Sequence, residues 1–106
     1  MVKVKGTLIS PYSIEDAMFS FKNLNNYLFV IDNDDYSDSI TVFIEGNINP
    51  LEIKRAIYSK AFVTPSTVKI VPKDNIPIIG RKNKRFIDLR KERPFNTIVR
   101  KFAKAY

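Results

Sequence analysis

Hydrophobic spacing along this chain alternates between a period of two and a period near 3.6, and only a layered mixture of strands and helices satisfies both. Val2 to Lys5 alternates Val and Lys as a half-buried strand does, and Gly6 breaks it before a turn at Ser10-Pro11. Ser13 reads as a helix N-cap with Asp16 three residues on, and Ile14, Ala17, Met18 and Phe21 fall on one helical stripe. Tyr27 to Ile31 is a strand, Asp32-Asn33-Asp34-Asp35 an acidic turn, and Ser39 to Glu45 a second strand whose Ile40, Val42 and Ile44 share one face. Asn49-Pro50-Leu51-Glu52 starts another helix, with an N-cap, a Pro at the first helical position and a capping-box Glu. Its Ile53, Ala56, Ile57 and Ala61 form a buried stripe, while Lys54, Arg55 and Lys60 face outward. Thr67 to Val71 and Phe86 to Leu89 complete the strands, the latter as a short edge.

The order is therefore βαββαβ. It predicts an α+β fold of split βαβ type, with two helices covering one face of an antiparallel sheet. Beyond it, Phe95, Ile98, Val99 and Phe102 recur at helical spacing with Arg100, Lys101 and Lys104 opposite. This predicts a C-terminal amphipathic helix over residues 91–106 that packs on the domain or on a partner. The 106 residues make one domain, long enough to bury about two thirds of the surface of the unfolded chain.

Composition removes whole classes of chemistry. With no Cys there is neither a disulfide framework nor a thiolate, and with no His the commonest general base and metal ligand is gone. The acids at 32, 34, 35 and 38 lack the sixth-position glycine and twelfth-position glutamate of a calcium loop, so they read as a solvated turn and no metal site is expected. Apolar runs are too short to span a bilayer and no signal core opens the chain, so a soluble cytoplasmic protein is expected. Charge is divided unevenly: residues 1–80 carry eight Lys/Arg against nine Asp/Glu, and residues 81–106 carry ten against two. That basic quarter reads either as a solvated tail or as a surface for a polyanion.

Within it, Ile76 to Arg90 forms a glycine-containing basic loop that hands over to a short apolar strand, an arrangement suited to presenting a cation to a phosphate. In order it holds Pro77, Gly80, Lys82, Arg85 and Ile87-Asp88-Leu89-Arg90. At the other end, Val2-Lys3-Val4-Lys5-Gly6-Thr7 and Pro11 precede Ser13-Ile14-Glu15-Asp16. These two motifs, in this order, resemble the small C-terminal domain of AMP-forming acyl-CoA ligases, closest to the phenylacetate-CoA ligase branch, over roughly residues 1–90.

The resemblance implies a two-step reaction, in which ATP and a carboxylic acid give an acyl-adenylate and coenzyme A then displaces AMP. It implies Lys82 as the adenylation lysine. Lys5, Gly6 and Thr7 would line the coenzyme A tunnel after a domain rotation, and Arg81, Lys84, Arg85 and Arg90 would help hold coenzyme A phosphates. Read as residues alone, Gly6 is equally a tight turn that needs positive φ. This sequence departs from the family pattern in placing Arg81 between Gly80 and Lys82, which leaves Lys84 as a second candidate for the same role. The family's large ATP-binding domain, with its Mg ion and acyl pocket, is expected as a partner, either in the same chain or as a separate subunit. On this reading the 106 residues alone are inactive. The rival from another class is a stand-alone basic βαββαβ module that binds nucleic acid or regulates, for which the strand at 39–45 offers only Phe43 as a stacking aromatic.

Overall fold

The computed structural model describes every residue except 34, 35 and 92, and the side chains of residues 93–96 are likewise left undescribed. The chain opens with a hairpin, β1 (Val2–Val4) and β2 (Thr7–Ile9), followed by α1 (Pro11–Phe19). Next come β3 (Leu24–Asn33), β4 (Asp38–Gly46), α2 (Pro50–Ala61), β5 (Thr67–Ile70), β6 (Phe86–Asp88) and α3 (Arg93–Ala105). The main sheet is ordered β5-β4-β3-β6. Its central pair is antiparallel as expected, while β5 and β6 run parallel to their neighbours, so the sheet as a whole is mixed. Parallel pairing requires crossovers. The first runs through α2, and the second through residues 71–85.

Two details of the local reading change. The Ser10-Pro11 step is not a turn before the helix but its start: Ser10 caps α1, its Oγ accepting from the Tyr12 N–H at 3.2 Å, and Pro11 occupies the first turn. The fixed φ and missing N–H of proline suit that position, so the cap lies at Ser10 and not at Ser13. The first strand also stays out of the main sheet. It pairs with Thr7–Ile9 through a two-residue loop in which Lys5 (φ 51°) and Gly6 (φ 80°) are both left-handed, the geometry of a type I′ hairpin.

Both faces of the sheet are covered. On one, Phe29, Ile31, Ile40, Val42 and Ile44 pack against Ile14, Ala17 and Met18 of α1, Ile53 and Ile57 of α2, and Val4 and Ile9 of the hairpin. On the other, Leu28, Val30 and Phe43 pack against Val71, Ile76 and Ile79 of the second crossover and against Val99 of α3. Tyr27 to Ile31 is thus an unbroken apolar run because β3 is buried on both sides. The tail forms the amphipathic helix foreseen, with Phe102 edge-on to Phe43 at 4.8 Å between ring centres. Arg100 grips Asp32 with both guanidinium nitrogens, at 3.0 and 3.3 Å.

Candidate functional site

The basic loop is a compact turn hung from a buried anchor. Ile79 is fully buried, its carbonyl accepts from the Lys84 N–H at 2.7 Å, and left-handed Gly80 and Asn83 close the bend. The Arg85 carbonyl then enters the sheet by accepting from the Phe29 N–H at 2.7 Å, so β6 sets the loop's height against β3. Arg85 itself is fixed over the Tyr27 ring, with its Nε donating to Asn26 Oδ1 at 2.9 Å. Burial is the main cause that pushes the Tyr27 hydroxyl up to about 12; the Glu15 carboxylate adds to this, and Arg85 opposes it.

Lys82 is exposed, and among the described residues no hydrogen bond or ion pair engages its ammonium. Lys84 is engaged within the chain. Both line an open cleft of about 560 Å³, together with Arg85 and Phe86 and with Pro11, Tyr12 and Glu15 of α1. Pro11 and Glu15 stood in the first sequence motif without a site role, and Tyr12 was missed. The signal available for them was the Ser10-Pro11 helix start, which turns Tyr12 and Glu15 toward the loop. Arg81 is exposed on the same turn.

The Gly6 hairpin lies elsewhere. The Lys5 N–H donates to Asp38 Oδ2 at 3.2 Å and its ammonium to Ser66 Oγ at 3.3 Å, which ties the hairpin tip to the starts of β4 and β5. Asp38 pairs with Asn33 at the far end of β3, whereas Arg85 is bound to Asn26 near its beginning. Seven residues of strand at about 3.3 Å each separate these two anchors by roughly 23 Å. The structure therefore does not bring Lys82 together with the Lys5-Gly6-Thr7 tip, although Val2 at the hairpin's base, Pro11 and Glu15 line the Lys82 cleft.

Arg90, grouped by its sequence with the phosphate-holding cations, has its donors engaged inside the fold. It forms a bidentate pair with Asp88, donating from Nε and Nη2 at 2.9 Å each, and reaches Asp38 at 3.1 Å and the Lys3 carbonyl at 3.1 Å. It thereby fastens the hairpin to β6 and β4. Burial alone would raise the Asp88 carboxyl, but the hydrogen bonds and charge of Arg90 outweigh it and hold the group below the usual carboxylate range. The aromatic sheet face that the nucleic-acid rival needs is closed, because Phe43 is 1% exposed beneath α3. Among the described residues no cluster of three metal-ligating side chains occurs, and no helix is long and apolar enough to cross a membrane.

The family model described as AMP-binding enzyme C-terminal domain matches residues 6–90. A crystal structure of a domain of phenylacetate-coenzyme A ligase from Bacteroides vulgatus is 31% identical with a TM-score of 0.70, covering 84% of this chain and 92% of that one. A 2-hydroxyisobutyryl-CoA ligase, crystallised with 2-HIB-AMP and CoA in the thioesterification state, gives a TM-score of 0.69 at 17% identity. That match covers 98% of this chain but 24% of the ligase. The McyG A-PCP structure with phenylalanyl-adenylate gives 0.58 at 12% identity, covering 98% of this chain and 21% of that one. The last two show a shared fold only. No curated protein sequence matches the chain. With the family match spanning residues 6–90, which hold the whole basic-loop motif and Gly6 onward of the first, the chain belongs to the AMP-binding enzyme C-terminal domain family, as a C-terminal domain of AMP-forming CoA ligases.

Proposed function

We propose that this domain works as the small swinging part of a cytoplasmic acyl-CoA ligase, supplying an adenylation lysine and a coenzyme A-facing hairpin to a large ATP-binding domain. The observation that carries this reading is Lys82: an unengaged, exposed ammonium on a loop held rigidly by Ile79 and by the sheet, at the rim of an open cleft. A compact charge on a long flexible stem can reach into a site formed by another body. There it would stabilise the negative charge that develops on the α-phosphate during adenylation. The cation fits the anion, and among the described residues no hydrogen bond or ion pair must be broken to free it. ATP, the Mg ion and the carboxylic acid would be held by the large domain, so the 106 residues alone are inactive on this proposal.

Lys5, Gly6 and Thr7 would act in the second step. A hairpin tip without a side chain at Gly6 lets backbone approach a thin ligand, and a Cβ built there meets nothing within 4 Å, so the approach is open. Arg81, Lys84 and Arg85 would meet phosphates near the cleft, whereas Arg90 acts as the fastener of the hairpin. Lys84 is the runner-up for the adenylation role. The test is ATP-pyrophosphate exchange by a ligase large domain stripped of its own small domain and supplemented with this chain. Lys82→Ala should lose exchange by about 100-fold, while Lys84→Ala should retain most of it. The reverse order would move the role to Lys84, and equal activity of both variants would remove it from the loop.

A further inference from the structure

A second recess lies on the opposite face of the sheet from α1 and α2, where α3 crosses β4. Its floor is apolar and buried, formed by Val30, Phe43 and Leu89. Its rim carries three cations, Lys69, Arg100 and Lys104, against one carboxylate, Asp32, with the Thr41 hydroxyl beside them. Two of those cations are held in place. Arg100 is fixed by Asp32, and the Lys69 ammonium donates at 2.6 Å to the main-chain oxygen of Tyr106, the last of the 106 residues. Lys104, one turn beyond Arg100 on α3, is exposed and has no hydrogen bond or ion pair among the described residues.

The volume, about 280 Å³, is near the lower end of the roughly 300–1,000 Å³ typical of small-molecule sites. We infer that this groove binds a small amphipathic anion, one apolar ring or short chain ending in a carboxylate or phosphate, with the apolar body on Phe43 and Leu89 and the charge between Lys69, Arg100 and Lys104. An apolar floor alone would take a neutral ligand, and the cations alone would take any anion. Together they select a molecule that is both. Such a ligand touches α3 and the sheet at once and so ties the helix down. The inference rests on the groove itself and stands apart from the ligase reading, since Lys82 and Gly6 line neither its floor nor its rim.

The test is an NMR titration of the intact 106-residue chain, isotopically labelled, with benzoate, phenyl phosphate, benzylammonium and sulfate as probes. Benzoate or phenyl phosphate should move the amides of Thr41, Lys69, Leu89 and Lys104 saturably, and which of the two binds more tightly identifies the head group. Benzylammonium and sulfate should not. Ala103→Phe, which fills the groove, should abolish the shifts, and Lys104→Ala should weaken binding by about three-fold. Lys104 is exposed, so that variant remains informative even where Ala103→Phe disturbs the helix. Shifts confined to the Lys82 loop, equal shifts with benzylammonium or sulfate, no saturable shift at all, or an affinity indifferent to Lys104 would each overturn the inference.

Discussion

A side chain at residue 6 would have room and still be strained. The obstacle is a φ of +80°, not a neighbour, because a Cβ there has no atom within 4 Å. Gly6→Ala should therefore destabilise the fold by only about 1 kcal/mol in urea unfolding. Gly46 is the contrast: its Cβ would press into the Asn23 backbone carbonyl, so Gly46→Ala should cost about 2 kcal/mol or more in the same measurement. Asp88 and Arg90 define a third residue-scale expectation. The Asp88 side chain is 5% exposed and paired, and Arg90→Ala would strand its charge, so a loss of about 3 kcal/mol is expected. The folded-state pKa of Asp88 is depressed. Its contribution is thus complete above the unfolded value, near 4, and disappears as pH falls through the lower folded value. Asp88→Asn should lower stability at pH 7 and flatten the acid limb of the stability curve.

At the scale of elements, α3 is held mainly by packing and less by charge. Val99 is fully buried, while the Arg100–Asp32 pair has 47% and 31% of its two side chains exposed. Val99→Ala should cost about 2 kcal/mol, and Arg100→Ala no more than about 1 kcal/mol; hydrogen exchange across residues 97–105 would separate the two. The elements legible in the sequence were those with a local signature. Asn49-Pro50 announces its own helix by cap and proline, Ile53 and Ile57 fall where the stripe requires, and the β3–β4 hairpin follows from period-two alternation. What escaped was set by distant partners. Thr7–Ile9 is too short to read as a strand without β1 beside it. The parallel pairing of β6 depends on a crossover of about 15 residues that buries apolar side chains only at Val71, Ile76 and Ile79 and leaves Ile78 exposed. The loop that presents Lys82 was readable because Gly80 and the lysines are neighbours in sequence. The internal role of Arg90 was not, since the Lys3 carbonyl lies 87 positions away. The acidic turn was expected to include Asp34 and Asp35, which lie outside the described residues.

Across the whole molecule, Lys82 and the Lys5-Gly6-Thr7 tip lie toward opposite ends of β3, with Arg90 fastening the hairpin to β6 and β4. A lysine and a hairpin so separated cannot serve one small reaction centre at the same moment. They can serve it in turn, if the domain rotates to present first one end and then the other. The most direct measurement is of the two half-reactions separately, ATP-pyrophosphate exchange and acyl-CoA formation from preformed acyl-adenylate, in a large domain supplemented with Lys82→Ala or Gly6→Leu. The account predicts a crossed result: Lys82→Ala loses exchange and keeps thioester formation, and Gly6→Leu keeps exchange and loses thioester formation. Two variants that impair both half-reactions equally, or neither, would contradict it.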